Sequence, residues 1–573
     1  MVKSNLPDKK LRVGFDLDGV VIYNPTRIIR PITAFFKDLI FKEKHLRFYH
    51  PKSKLGRLIW WFLHKSSLYI SPGFWDLTRL VHEGKMEVFI VTARYDFLKS
   101  DFEKWIKKLN KNKTLSGWYF NKKNEKPHIF KARMIKKLEL DIFVDDNLDI
   151  ANFLKTKFEN RGTKIFWVYN ILDRKQKYQY KFSKLNEVVK KLYRLIYKNK
   201  KKLLIVTDYF YPHWTGFSKA IYSMTQILKN QYVITILTVQ HDKKLKKIEF
   251  LNGLLIIRCR YLFSISRSKY SIGIIYNFFK EIQSNDKVLI NAPSANIFFY
   301  SLIMKAFHKK LIVYHHAHLL LPKSFWNNLL QKTFEFLTTS AYLLVDKIGT
   351  HSLDYARYTP LLRPYLKKIE PVLIPVSINQ LAVDIKTVIK LQGLKKKDAV
   401  FMGFAGRFVY EKGFDLLLKS IPEIISKNPK VKFVFAGMTN IYYESFFQQH
   451  RGLWNKYKRH IINLGFLNEQ ELMAFYKVID YIIIPSRIDS FNMIQAEAAL
   501  NGVPIIASNI PGLRFLIQKT GFGLLFKKES IADLVLKIEV ALKNRDNLMK
   551  NYPKVKDFLD KKVLSKKLRD FIY

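Results

Sequence analysis

Short apolar runs separated by longer mixed stretches recur along the whole chain. In the first third they are Val13–Phe15, Val88–Val91, Ile142–Val144 and Ile165–Val168. Runs this short suit strands buried on both faces, and their alternation with helix-period stretches is the rhythm of a parallel sheet. A lysine-rich helical stretch, Lys184 to Tyr197, then leads into Asn199-Lys200-Lys201-Lys202, which reads as a solvated linker helix. The rhythm restarts at Leu203–Thr207, with further strands expected at Val233–Thr238, Val288–Ile290, Leu311–Tyr314, Lys347–Thr350 and Val372–Ile374. It restarts again at Val400–Ala405, followed by Val431–Ala436, Ile461–Leu464, Tyr481–Ile484 and Pro504–Ala507. The expected architecture is α/β with three Rossmann-like domains. Residues 1–182 form the first, 183–202 a basic helical linker, and 203–385 and 386–573 two facing doubly wound domains.

Composition narrows the class. Of 573 residues, 48% are hydrophobic and 26% charged, which is the balance of a core-forming globular chain. A single cysteine, Cys259, excludes an internal disulfide framework and fits a reducing cytoplasm. The N-terminus shows no apolar signal segment, and no apolar stretch reaches the roughly 18–20 residues of a spanning helix. A soluble or peripheral protein is expected, cytoplasmic and on the inner face of the membrane if attached.

The net charge of +53 has three readings. Lysine here travels with many Ile, Asn, Phe and Tyr, as AT-rich coding would produce. Basic residues also draw a protein to an anionic membrane face. Nucleic acid is not an expected partner, because no helix-turn-helix, zinc-finger or RNP-like pattern is present and the charge is spread along the chain.

Chemistry-bearing residues gather at strand ends. In Pro485–Ser508, the acids Asp489 and Glu497 lie between the apolar run Tyr481–Ile484 and a helix-like segment closed by Asn501-Gly502. Strand ends of open α/β sheets line ligand crevices, and a helix N-terminus there offers free N–H groups to a phosphate. Upstream, GFAGRFVYEKGFD places Arg407 and Lys412 around another helix start, where two cations can cradle a diphosphate.

Read with LLIVTDYFYP, IEPVLIPVSI and NLGFLNEQELMAFY, these segments resemble retaining glycosyltransferases of the GT-B fold, in particular family 4. The resemblance implies that Arg407 and Lys412 bind the donor diphosphate and that Glu497 bonds the ribose. Asp489 would face the transferred sugar, and backbone groups of Phe491, Asn492 and Met493 would add donor contacts. His315 or His316 matches the family histidine near the acceptor, and Gly216 the loop that approaches the donor phosphates. The implied reaction moves a sugar from a nucleotide-sugar to a glycan or lipid-linked acceptor in envelope polysaccharide or glycolipid synthesis, without an essential metal. This sequence departs from the family at Asp489 (usually Glu), Asn492 (usually Gly) and Gly216-Phe217 (usually Gly-Gly). His315, His316 and His318 lack a further ligand at zinc spacing.

A separate cluster opens the chain. GFDLDGVV puts Asp16 and Asp18 just past a strand, FIVTAR ends a second strand in Thr92, and DIFVDDN ends a third in Asp145-Asp146. Paired carboxylates can share Mg²⁺, or one can attack phosphorus. The set resembles the haloacid-dehalogenase-like (HAD-like) phosphohydrolase superfamily. That resemblance implies Asp16 as nucleophile, Asp18 as general acid/base, Thr92 and Lys131 on the phosphate, and Asp16, Asp18, Asp145 and Asp146 around Mg²⁺. Lys136 and Lys137 are alternatives to Lys131, and Asn24 to about Trp75 would form a small helical cap. Two aromatic, cation-flanked stretches, Arg57–Lys65 and Ser324–Lys332, suit either a lipid headgroup region or a core helix. The alternative for the whole chain is a phosphatase whose GT-B half only binds ligand.

Overall fold

The computed structural model describes residues 10–24, 51, 53–65, 67–170, 172–197, 200–213, 215–265, 268–318, 325–376, 383–396, 398–439, 441 and 444–573. The chain divides into two compact units, Met1–Lys200 and Lys201–Tyr573. Most of the expected cap lies outside the described residues.

The first unit is built on one parallel sheet. Its strands run in the order Gly117–Phe120, Met86–Thr92, Leu11–Phe15, Ile142–Asp145, Lys164–Val168, Lys181–Phe182. Leu11–Phe15 therefore lies between the strands that end in Thr92 and in Asp145, so three chemistry-bearing strand ends are neighbours. Gly117–Phe120 and Lys181–Phe182 were not legible as strands, being short and only half-buried. The Leu185–Ile196 helix differs from the expected solvated linker. It buries Leu185, Val188, Val189, Leu192 and Tyr193, and the Tyr193 hydroxyl donates to the Asp76 carbonyl oxygen at 2.9 Å. Lys190 lies exposed and Lys191 half-buried on the outer side of an amphipathic helix, opposite the apolar side that is buried.

The second unit carries two sheets. The first has the order Ile248–Leu251, Leu254–Cys259, Tyr232–Val239, Lys201–Val206, Lys287–Ala292, Leu311–His315, Lys347–Thr350, Ile369–Pro371, parallel except for the antiparallel pair at its edge. That edge hairpin turns at Asn252-Gly253, both at positive φ, a turn signal present in the sequence. The strand expected at Val372–Ile374 ends instead at Pro371, and Val372–Ile374 leads out of it as buried coil.

The second sheet is wholly parallel, in the order Ile461–Gly465, Val431–Ala436, Val400–Ala405, Tyr481–Ile484, Ile505–Ser508, Gly523–Phe526. Strand order reverses between Val400–Ala405 and Tyr481–Ile484. A crevice opens at such a switch point, and Arg407 and Asp489 follow those two strands. The last helix, Lys561–Ile572, returns to the first sheet, where Leu568, Phe571 and Ile572 enter its core beside Tyr314. Ion pairs also join the halves: Lys219 with Glu469 at 3.2 Å, and Arg514 with both oxygens of Asp354 at 2.6 and 2.8 Å.

Candidate functional sites

Arg407, Lys412, Asp489 and Asn492 lie in the loops and helix starts that follow the two strands at the switch point of the second sheet. Gly413 starts the Phe414–Lys427 helix in a left-handed conformation, φ 64°, and a Cβ there would lie 2.0 Å from the Pro485 carbonyl oxygen. This contact brings the first helix start against the loop that carries Asp489. Lys412, one residue before, donates to Asp489 Oδ2 at 2.8 Å, and Asn492 Nδ2 donates to the same oxygen at 2.8 Å. Asn492 caps the Met493–Leu500 helix through Gln495 N–H, so the departure from glycine provides a helix cap. Phe491 and Asn492 are buried, and Met493 packs against the core. Arg407 is half-exposed and pairs with Glu411 at 2.6 Å. Glu497 is buried and accepts a hydrogen bond from the Tyr476 hydroxyl at 2.9 Å. Burial pushes the Glu497 carboxyl upward, opposed by the nearby Lys219.

Arg487 was missed in the sequence. Its buried guanidinium spans both oxygens of Asp415 at 2.8 and 2.9 Å, reaches Glu529 at 2.7 Å, and lies over the Tyr410 ring. It fastens the loop after Tyr481–Ile484 to the Phe414–Lys427 helix. An arginine two residues before Asp489 was the available signal.

The two adjacent histidines part company on the strand Leu311–His315 and the residue after it. His315 Nδ1 lies 2.6 Å from the Tyr342 hydroxyl, on the side of the core that Tyr342 shares. His316 lies on the opposite side, its Nε2 2.8 Å from Asn291 Oδ1 and its ring edge-on to Phe217. His351, unremarked in the sequence, is 6.0 Å from His316 between ring centres and stacks on Phe491 at 5.3 Å. A continuous aromatic path therefore runs from Phe217 at the Gly216–Leu228 helix start through His316 and His351 to Phe491, two residues past Asp489. Burial holds His316 well below, and His351 at about 4, from the ordinary imidazole range, so both are neutral at pH 7. Gly216 opens its helix, and a Cβ added there would meet open space. The first loop is held by Asp208, which accepts from Ser294 at 2.7 Å and from Ala295 N–H at 3.2 Å.

The first unit gathers its cluster at the three neighbouring strand ends. Lys131 donates to Asp16 at 2.6 Å and to Asp145 at 2.7 Å, and all three are buried. Between Lys131 and its rivals, the geometry brings Lys131 to the cluster: Lys136 and Lys137 are exposed. Thr92 is buried at its strand end, and its Oγ1 accepts from Arg94 N–H at 3.4 Å. Gly19, φ 76°, lets the turn lie under Asp146, whose Oδ2 would be 2.0 Å from an added Cβ. Oxygens of Asp16, Asp145 and Asp146 lie within 4.8 Å of one another, a hard-donor set that suits Mg²⁺. Lys131 pairs with Asp16 and Asp145, and Arg94 pairs with Asp18.

Arg94 is the residue the sequence did not disclose. It grips Asp18 through Nε and Nη2, both at 2.7 Å, and donates to Asp101 at 2.6 Å. Asp18 is thus held as an acceptor. Burial pushes the Asp16 carboxyl up to about 7, against the pull of Lys131 and helped by Asp145 and Asp146.

Comparison with known proteins agrees with the second unit's architecture. An uncharacterized glycosyltransferase of Methanocaldococcus jannaschii is 32% identical over 117 residues, 20% of this chain and 28% of that protein. The alpha-monoglucosyldiacylglycerol synthase of Streptococcus pneumoniae is 28% identical over 190 residues, 32% of this chain and 42% of that protein. The chain thus spans less than half the length of these curated relatives. Among solved structures, the sucrose-phosphate synthase of Thermosynechococcus elongatus superposes with a TM-score of 0.53 at 16% identity, covering 65% of this chain and 98% of that one. HepE of Anabaena, solved with UDP-glucose, gives 0.51 at 13% identity, covering 65% and 98%. The chain shares the GT-B glycosyltransferase fold with these structures, and its residues 386–555 match the family described as Glycosyl transferases group 1.

Proposed function

We propose that the Lys201–Tyr573 unit is a retaining glycosyltransferase of the family 4 kind. It would move a sugar from a nucleotide-sugar to a glycan or lipid-linked acceptor, at an anionic membrane surface, in envelope polysaccharide or glycolipid synthesis. The observation that carries this reading is the Lys412–Asp489 pair between two helix starts at one switch point, with Arg407 in the loop after the first strand and Glu497 one turn into the second helix. The group 1 match over residues 386–555 supports it, as does the fold shared with a protein solved with UDP-glucose.

In this reading the sugar C1–oxygen bond to the diphosphate breaks as the acceptor oxygen bonds C1 from the same face. The acceptor proton passes to the departing diphosphate. Arg407, Lys412 and the N–H groups at the Met493–Leu500 helix start offset the charge growing on that group. Lys412 would exchange Asp489 for phosphate, which frees Asp489 for a sugar hydroxyl. Glu497, positioned by Tyr476, accepts from the ribose. His316, neutral and positioned by Asn291, borders the acceptor side.

The first unit reads as a Mg²⁺-dependent phosphohydrolase. Bound Mg²⁺ would neutralise phosphate charge between Asp16, Asp145 and Asp146. Asp16 attacks phosphorus, the ester oxygen leaves with a proton from Asp18, and water then releases phosphate from the aspartyl phosphate, which restores the Asp16 carboxylate. For Asp18 to deliver that proton, Arg94 must yield its grip.

A thermal-shift screen against UDP-, GDP- and ADP-sugars tests the transferase. One donor should stabilise the protein by mass action, and Glu497→Ala and Arg407→Ala should remove both the shift and transfer. A flat response to every donor would refute the reading. Phosphate release that needs Mg²⁺ and disappears in Asp16→Asn tests the first unit; release unchanged in that variant would assign it elsewhere.

A further inference from the structure

Three consecutive helices of the second unit, Ile272–Ser284, Ile297–Ala306 and Phe325–Leu344, lie side by side on one face of the eight-stranded sheet. Ile274, Phe278, Tyr300, Met304 and Tyr342 from these helices share a single core with that sheet. An amphipathic helix packed in this way should be polar on its outer side. These are not.

On the first helix, Ile272, Tyr276 and Phe279 follow one another at helical spacing on the exposed side. Tyr276 is 68% exposed. Leu302 is exposed on the second helix. On the third, Trp326 and Phe336 are 71% and 70% exposed, and Leu329 lies between them. Phe279 meets Phe307 edge-on at 5.2 Å, which makes the surface continuous from the first helix to the end of the second.

Fully exposed charge on these helices has one sign. The exposed charged residues of the three helices are Lys280, Lys305 and Lys332. Their two acids, Glu281 and Glu335, are half-buried, and Glu335 is taken up by Gln331 at 2.6 Å and His318 at 3.3 Å. A second copy of this chain would bring the same lysines and another +53 of charge, which opposes association. Anionic phospholipid offers the complement: headgroup phosphates for the lysines, and the headgroup boundary for Trp, Tyr and Phe. No helix among the described residues is long and apolar enough to cross a membrane, so the face would lie on the bilayer.

We propose that the outer face of this three-helix layer is a docking surface for an anionic lipid bilayer. It buries its aromatic side chains at the headgroup level and sets Lys280, Lys305 and Lys332 on lipid phosphates. This rests on the membrane-surface part of the proposed function and deepens it by naming the surface. It does not depend on either catalytic activity.

The test is vesicle flotation of the full chain with phosphatidylcholine alone and with phosphatidylcholine mixed with phosphatidylglycerol. Wild type should float with the mixed vesicles only, and less at high salt. The triple variant Trp326→Ser, Leu329→Ser, Phe336→Ser should lower binding roughly tenfold or more while its thermal midpoint stays within a few degrees. Brominated lipid should quench tryptophan emission in wild type, and Trp326→Phe should lose most of that quenching. If the triple variant is folded and binds like wild type, this face is not the docking surface although membrane binding stands. Wild type that binds no vesicle would overturn the membrane reading itself. A concentration-dependent dimer that the triple variant abolishes, measured by sedimentation, would assign the face to a second copy instead. Should the triple variant fail to fold, the quenching difference in Trp326→Phe decides.

Discussion

At the residue scale, buried charges set the two sites. Arg94 and Asp18 have almost no exposed side-chain surface, so their pairing takes place out of water. Arg94→Ala should cost about 3–5 kcal/mol, because it removes both charge-assisted bonds that Arg94 makes to the buried Asp18 carboxylate. Chemical unfolding of the full chain would read this as a lower midpoint for the unit that holds Arg94, and Asp18→Asn in the same background should recover part of it. Asp18 was legible from the DxD pattern, whereas its partner stands 76 residues away. An arginine after a strand-end threonine has no pattern of its own; only the strand order brings it to Asp18.

The buried histidines couple stability to pH. His351 has a folded pKa of about 4, pushed down by burial, and His315 about 3, for the same first reason. The unfolded chain therefore takes up protons first as pH falls. Stability should be complete above the ordinary imidazole pKa of about 6.5 and should decline as pH drops from there toward about 4. Each such histidine contributes a slope of up to about 1.4 kcal/mol per pH unit within the window. Urea midpoints measured from neutral pH downward would show it. His351→Phe, which retains a ring against Phe491, should remove about one proton's worth of that slope.

At the element scale, the helix starts do most of the positioning. Gly413 combines a left-handed conformation with a carbonyl oxygen where a Cβ would stand. Gly413→Ala should cost about 1–2 kcal/mol for the backbone conformation alone, and it also pushes Pro485 and the Asp489 loop away. Donor affinity should then fall more than the thermal midpoint suggests; titration calorimetry beside a melting curve separates the two effects. The helix at Leu185–Ile196 shows the limit of reading charge along a line. Its lysines are conspicuous in sequence, but its 3.6-residue period puts the apolar side inward, and burial is decided by that side.

At the scale of the whole molecule, the chain closes on itself. The last helix belongs in sequence to the second half of the GT-B unit, yet Leu568, Phe571 and Ile572 complete the core of the first half. Gly349 leaves the space that the Phe571 ring fills. Removing residues 561–573 should forfeit roughly 5–9 kcal/mol, at about 1.5–3 kcal/mol for each of those three side chains. That is comparable with the whole stability of a typical domain. The truncated chain should lose its cooperative unfolding transition or fail to stay soluble, and Phe571→Ala should cost about 3–5 kcal/mol without that collapse.

The sequence alone determined the α/β rhythm, most strand positions and most acids and cations of the two clusters, because apolar period and strand-end chemistry are local properties. Tertiary structure decided what local pattern cannot carry. It separated His316 from His315 by the face of one strand, and Lys131 from Lys136 and Lys137 by distance to Asp16. It also brought Arg94, Tyr476, Arg487 and His351 to their partners. Such pairings depend on which strands are neighbours and where helices begin in space, and those are settled by burying the cores as a whole.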